Sequence, residues 1–210
     1  MLTGKAFKFG DDISTDHIIP GKYAYLRSNL PELAKHVMED ADPLFASRVK
    51  PGDFIVGGNN FGLGSSREHA PLVIKMAGVK AILAKSVARI FFRNAINLGL
   101  PILICNTDDI ANGDQLEIEL EAGIIRNKTN GKVLTFGKIP DVMLKILDEG
   151  GLLPYIEKHG DFKLYPAGQH RHSSGCESGL AQRDACDGEN RWQMESGARS
   201  QITGLRCPAY

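Results

Sequence analysis

Short apolar runs and longer amphipathic ones alternate along the first two thirds of the chain. Leu2 to Phe9 alternates loosely between apolar and polar positions and predicts a first strand, ended by the turn signal Gly10-Asp11-Asp12. Phe54-Ile55-Val56-Gly57 is short, apolar and β-branched, as a strand covered on both faces should be, and Val79–Ala84 and Ile102–Cys105 repeat that character. Between these runs Leu72, Val73, Met76 and Ala77 recur at helical spacing, and Val87–Leu98 predicts a helix with Ile90, Phe91, Ala95 and Leu98 turned inward. Strand, helix, strand, helix, strand is the order of an α/β fold with parallel crossovers.

Asp114–Leu120 alternates as a half-exposed strand, and the stretch from Gly123 to Phe136 predicts a hairpin turning near Asn130-Gly131, an antiparallel β addition to the layered core. Ile139–Leu147 predicts a last helix closed by Gly150-Gly151, with Leu152–Glu157 packed beyond it. Nearer the N-terminus, Lys22–Asn29 has no clear period and predicts a mobile loop, entering a helix at Asn29 or Leu30 with Pro31 in its first turn. Glu32–Asp40 predicts an amphipathic helix burying Leu33 and Val37, and Pro43–Val49 a further helical turn.

Composition narrows this to one ordinary core. With 210 residues, 42% of them hydrophobic, the chain supports a single globular domain, here placed at residues 1–166. From Ala167 to Tyr210 there is no Lys, Val or Phe and a single Ile, while Gly, Ser, Arg and Cys accumulate, so residues 167–210 are expected to be a disordered tail. Its His170, His172, Cys176 and Cys186 lack the regular spacing of a zinc site. Lys+Arg 25 against Asp+Glu 25 leaves no net charge, which speaks against nucleic acid as a partner. No charged-then-apolar leader and no membrane-length apolar run is visible, so a cytoplasmic protein without a membrane partner is expected. Cys105 alone lies in the body of the chain; one thiol cannot hold an iron–sulfur cluster, and no metal site is expected here.

The candidate chemistry lies in Asn59–Pro71, which joins a strand to a helix. Gly57, Gly58, Gly62 and Gly64 allow close backbone approach, and Ser65 and Ser66 arrive just before the helix. A helix N-terminus favours an anion, and Arg67 adds a fork of donors shaped for a carboxylate or phosphate. Two starts are open. Ser65-x-x-Glu68 fits a capping box; Pro71 as first helical residue instead leaves Ser65 to His69 in the loop, and is the start adopted here. By composition alone, a Gly-rich turn with two capping serines accounts equally well for the stretch. The Gly-Lys-Ser/Thr ending of a P-loop and the third glycine of a dinucleotide loop are both missing. Upstream, adjacent Asp16 and His17 fit either a carboxylate with its partner near a site or an Asx turn. Arg89, Arg93 and Asn94 fit either a face turned to a ligand or a subunit or the solvated face of their helix, and the local pattern favours the second.

Three strings in order, Thr15-Asp-His-Ile-Ile-Pro-Gly21, Asn59–Pro71 and Ala84–Pro101, resemble the swivel domain of the aconitase superfamily. More narrowly, they are similar to the free-standing small subunits of the isopropylmalate dehydratase and homoaconitase group, over about residues 1 to 165. The resemblance implies a single swivel-type α/β domain. It implies a hydro-lyase that isomerises 2- and 3-isopropylmalate, or a homoaconitate-type substrate, by dehydration and rehydration. It also implies a partner, a large subunit carrying the 4Fe-4S cluster, without which this chain is inactive.

On matching residues the resemblance makes Ser65 the base and gives Ser66 and Arg67 to a substrate carboxylate. It brings Asp16 into the site with His17 on the same facing loop, and puts Glu68 and His69 in support. Ile19 stands where aconitase carries a serine, so that contact is not carried over. The resemblance also implies that Arg27, in Tyr25-Leu26-Arg27 and locally an exposed loop arginine, faces the variable end of the substrate; a cation there suits an added carboxylate better than an isopropyl group. The substrate expected is a small hydroxy-di- or tricarboxylic acid. Two other classes stay open: a self-sufficient enzyme binding a phosphate, and an RNA-binding aconitase-like module, which the neutral charge disfavours.

Overall fold

The computed structural model describes residues 1–160; the tail at 167–210 and the end of the domain at 166 lie outside the described residues. One seven-stranded sheet organises them, in the order β4-β3-β2-β1-β5-β6-β7. Strands β1 (Leu2–Lys8), β2 (Phe54–Val56), β3 (Ala81–Ala84) and β4 (Ile102–Ile104) are parallel, with Ala6 opposite Phe54, Ile55 opposite Ile82 and Leu83 opposite Leu103. On the other edge of β1, Leu2 faces Ile118 in the antiparallel β5 (Gln115–Glu119), followed by β6 (Ile124–Asn127) and β7 (Val133–Thr135). β1 is therefore the seam between the layered core and the antiparallel addition that the sequence predicts.

The central strands are apolar throughout because both of their faces are covered. Alternation sorts their side chains: Ile55, Ile82 and Ala84 join one core with Phe7, Phe45, Val73 and Phe91. Phe54, Val56, Ala81 and Leu83 join another with Leu103, Ile118, Ile125 and Ile146. The crossover helices are α4 (His69–Met76) between β2 and β3 and α5 (Arg89–Asn97) between β3 and β4; α6 (Asp141–Asp148) and α7 (Leu152–His159) follow the sheet. The turn after α5 and the turn between α6 and α7 meet backbone to backbone. A Cβ on Gly99 would lie 2.4 Å from the carbonyl of Gly150. Lys75 closes that junction, donating to Leu98 O at 2.6 Å and Gly150 O at 3.0 Å, and its burial lowers its pKa.

Three local expectations are corrected. Residues 22–29 are not an irregular loop: Gly21–Ser28 is a 3-10 helix. Tertiary contacts hold it, since Tyr23 stacks on His36 with ring centroids 3.8 Å apart and donates its hydroxyl to Glu39 Oε1 at 2.9 Å. The helix expected over Glu32–Asp40 ends early; α2 spans Leu30–Ala34, capped by Asn29, and residues 35–40 are turns. The reversal comes at Met38, buried with φ 60°, whose N–H donates to Ile18 O at 3.0 Å. Ile90 faces outward, 48% exposed, because Phe91 and Ala95, one helical turn apart, set the inward face of α5.

Candidate active site

Three loops leave the C-terminal ends of β1, β2 and β3 and meet there, the place where open α/β sheets bind ligands. The first holds α1 (Thr15–Ile18), the second the Gly-rich stretch, the third the lead into α5. They are laced together by main chain: Gly62 N donates to Ile13 O at 2.7 Å, Thr15 N to Leu63 O at 2.8 Å, and Ala88 N to Phe61 O at 2.9 Å. Asp11 accepts from Asn59 N at 2.6 Å, and those bonds hold its carboxyl below the usual range. Thr107, beyond β4, donates from its buried hydroxyl to Gly57 O at 2.9 Å.

Two glycines are demanded by packing. Gly62 has φ +75° and a Cβ there would stand 2.3 Å from the Phe91 ring; Gly64 has φ +105° and lies against Thr15 Oγ1. The Gly-rich loop thus sits flush on α5 on one side and on α1 on the other. Phe61 meets Phe91 edge to face at 5.6 Å and fixes the same contact.

α4 begins at His69, with Glu68 as N-cap, so Pro71 is its third residue rather than its first, still in the turn whose amides have no helical partner. Ser65, Ser66 and Arg67 remain in the loop, as the sequence argument requires. Ser65 and Ser66 are exposed, and neither hydroxyl bonds to any described residue. Ser65 is held by its main chain alone, its carbonyl accepting from Thr15 Oγ1 at 3.2 Å. Two free hydroxyls on a rigid backbone are open to a ligand.

Arg67 is committed. Its Nη2 lies 2.5 Å from Asp16 Oδ1, and its Nη1 donates to Ile19 O at 2.9 Å and to Thr15 O at 3.4 Å. Asp16 therefore reaches the site through Arg67. His17 does not pair with Asp16; it completes a capping box with Ser14, whose N–H lies 3.1 Å from His17 Nδ1 while His17 N donates to Ser14 Oγ at 3.2 Å. Ile19, buried, holds Arg67 through its carbonyl.

Ser66 and Arg67 are shared by two adjoining hollows. One, of about 370 Å³, includes Ser65, Thr15 and Gly64 and is closed by the first turns of α5. The other, of about 260 Å³, is lined by Arg27, Ile19, Glu68 and His69, which places Arg27 on the same space as Ser66 and Arg67. Arg89, Arg93 and Asn94, for which the sequence favours a solvated face over one turned to a ligand or subunit, line the first hollow. No signal in a single helix period separates these positions from ordinary surface; only the approach of α5 to Gly62 reveals them.

Among the described residues no three His, Cys, Asp or Glu side chains are grouped to hold a metal ion. Cys105 is buried, and desolvation pushes its thiol up to about 11. Also among the described residues, no helix is long and apolar enough to cross a membrane.

Residues 17–107 match the family described as the aconitase C-terminal domain. The 3-isopropylmalate dehydratase small subunit 2 of Archaeoglobus fulgidus is 64% identical over 163 residues, covering 78% of this chain and 99% of its own. Small subunit 1 of the same enzyme from Thermotoga maritima is 58% identical over 163 residues, 77% of this chain and 98% of its own. The isopropylmalate/citramalate isomerase small subunit of Methanocaldococcus jannaschii is 51% identical over 160 residues. A crystal structure of 3-isopropylmalate dehydratase from the last organism superposes with a TM-score of 0.72 at 48% identity, over 76% of this chain and 95% of that one.

Proposed function

The chain belongs to the family of 3-isopropylmalate dehydratase small subunits within the aconitase superfamily, and from that premise we propose that it is the small subunit of a heteromeric hydro-lyase isomerising 2- and 3-isopropylmalate in leucine biosynthesis. The homoaconitase alternative is not favoured, since the similar small subunits from three organisms are all named for isopropylmalate. Arg27 does not oppose this: in the smaller hollow beside Arg67 it suits a carboxylate common to every malate-type acid.

The observation that carries the proposal is the pair of unpartnered serine hydroxyls beside an arginine already fixed in direction. In this reading Ser65 takes the proton from the carbon next to a carboxylate, and Ser66 and Arg67 bind that carboxylate as charge builds on it. A serine is a weak base, so Arg67, Arg27 and the dipole of α4 must stabilise its alkoxide. Asp16 acts as a positioning residue, aiming the guanidinium before substrate arrives. Its side chain is 59% exposed, so the ion pair contributes about 1 kcal/mol or less, and a substrate carboxylate can compete for the fork.

The residues described here do not fit an iron–sulfur cluster, so no step is routed through one; the 4Fe-4S cluster is assigned to a large subunit, and the lone chain is inactive. Cytoplasmic location is proposed on the same biosynthetic role. The test is anaerobic co-expression with a cognate large subunit, following the unsaturated intermediate from 3-isopropylmalate. Turnover that disappears in Ser65→Ala supports the assignment, while equal activity in wild type and variant removes Ser65 from its role.

A further inference from the structure

The first hollow has a wall that the chemistry above does not use. In the first half of α5, Arg89 and Arg93 are exposed, and no hydrogen bond or ion pair joins either to any described residue, whereas Arg67 and Lys85 are paired. Between them Ile90 stands 48% exposed. Arg93 also borders a second, apolar hollow of about 320 Å³ between α5 and α6, formed in part by Phe92, Ile96 and Met143. Uncovered aliphatic side chains next to unpaired arginines, continuous with an apolar groove, have the composition of a protein interface: an apolar centre with arginine beside it.

We propose that this face of α5, Arg89, Ile90 and Arg93 with the adjoining apolar groove, is the docking surface for the large subunit assigned above, and that the matching surface carries carboxylates opposite the two arginines and an apolar side chain for the groove. The proposal rests on the function assigned above. Three observations select this partner. Ser65 and Ser66 open into the same hollow as Arg89 and Arg93, so a subunit that brings its metal to those serines must pass over this rim. Gly62 lies flush on Phe91, so a partner seated on α5 sits beside the loop that carries Ser65. Arg89 and Arg93 set two positive charges on one rim of the hollow, which a partner surface bearing carboxylates complements.

The test uses the full chain with its cognate large subunit, assembled anaerobically. Sedimentation velocity reads assembly, and turnover of 3-isopropylmalate is titrated with small subunit at low and high salt. Arg89→Glu/Arg93→Glu is expected to weaken assembly by about 10- to 100-fold and to flatten its salt dependence. Ile90→Ser weakens it without that flattening, and Lys138→Glu, an exposed site elsewhere, leaves it unchanged. Thermal melting checks that the double variant folds; if it does not, Arg93→Ala gives the same comparison. Unchanged assembly overturns the proposal. So does a raised KM with unchanged assembly, which moves the arginines to the substrate, or a wild-type self-association lost in the variant, which makes the face a contact between two copies. Wild type that assembles through this face without turning over substrate leaves the surface standing and removes the assigned activity; wild type that never assembles removes both.

Discussion

Arg67 and Asp16 come from different loops, beyond β2 and β1, and meet through a 2.5 Å contact between Nη2 and Oδ1, with the carbonyl of Ile19 holding the other amino group at 2.9 Å. A guanidinium held on two sides points its remaining donors in one direction before any ligand binds. Lysine cannot reproduce that fork. Arg67→Lys is expected to lower kcat/KM by roughly 100-fold or more. Asp16→Asn keeps shape and loses charge, so steady-state kinetics should show a smaller loss, about 10-fold.

Ser65 and Ser66 are neighbours with different assigned work, and kinetics separates them. Ser65→Ala should reduce kcat by roughly a thousandfold with assembly intact, as expected when a proton-transfer group is removed. Ser66→Ala should act mainly on KM. The reverse pattern would exchange the two roles.

Gly62→Ala puts a methyl into the Phe91 ring at a backbone angle that disfavours any side chain. The variant should lose about 2 kcal/mol or more, read as a melting temperature lower by roughly 5 °C or more. An unchanged melting temperature would mean that the contact between the loop and α5 is soft.

Glu39 binds the 3-10 segment from below, and its bonds, first from Lys22 and then from His36, hold its pKa at about 2, below the ordinary 4.5. A depressed carboxyl contributes stability that is full above the unfolded value and fades as pH falls toward the folded one. Wild type should melt above Glu39→Gln near neutrality, and the gap should close between pH 4.5 and about 2. Because Arg27 rides on the same segment, the variant should also raise KM at neutral pH.

Cys105 should resist alkylation in the folded protein, since burial raises its thiol to about 11. Peptide-resolved mass spectrometry after brief treatment with iodoacetamide checks this, separating Cys105 from the cysteines nearer the C-terminus. Rapid labelling would show that the end of β4 opens.

Strands covered on both faces must be apolar at every position, which is why Phe54–Val56 and Ala81–Ala84 were legible as buried strands. The Ser-Ser-Arg stretch was legible because glycines and a following amphipathic run are local features. The 3-10 helix was not, since its order comes from Tyr23 meeting His36 and Glu39 across a turn that residue spacing does not encode. Helical period alone also suggested a longer helix through Val37; the backbone reverses at Met38 to bury that side chain under α1. Ile90 was assigned inward because period alone cannot choose between adjacent apolar residues; Gly62, some thirty positions earlier, admits Phe91 instead.

The place of β1 in the sheet has a consequence for synthesis. It precedes the other described strands in the chain, yet its two neighbours are β2 and β5, and Leu2 finds its partner only at Ile118. The nascent chain can pair β1 with β2 early, but the antiparallel edge of β1 stays open until β5 has been made. Translation that stalls between β4 and β5 would leave a ready template for strand pairing between chains, so the interval before residue 119 is when this protein most needs a chaperone.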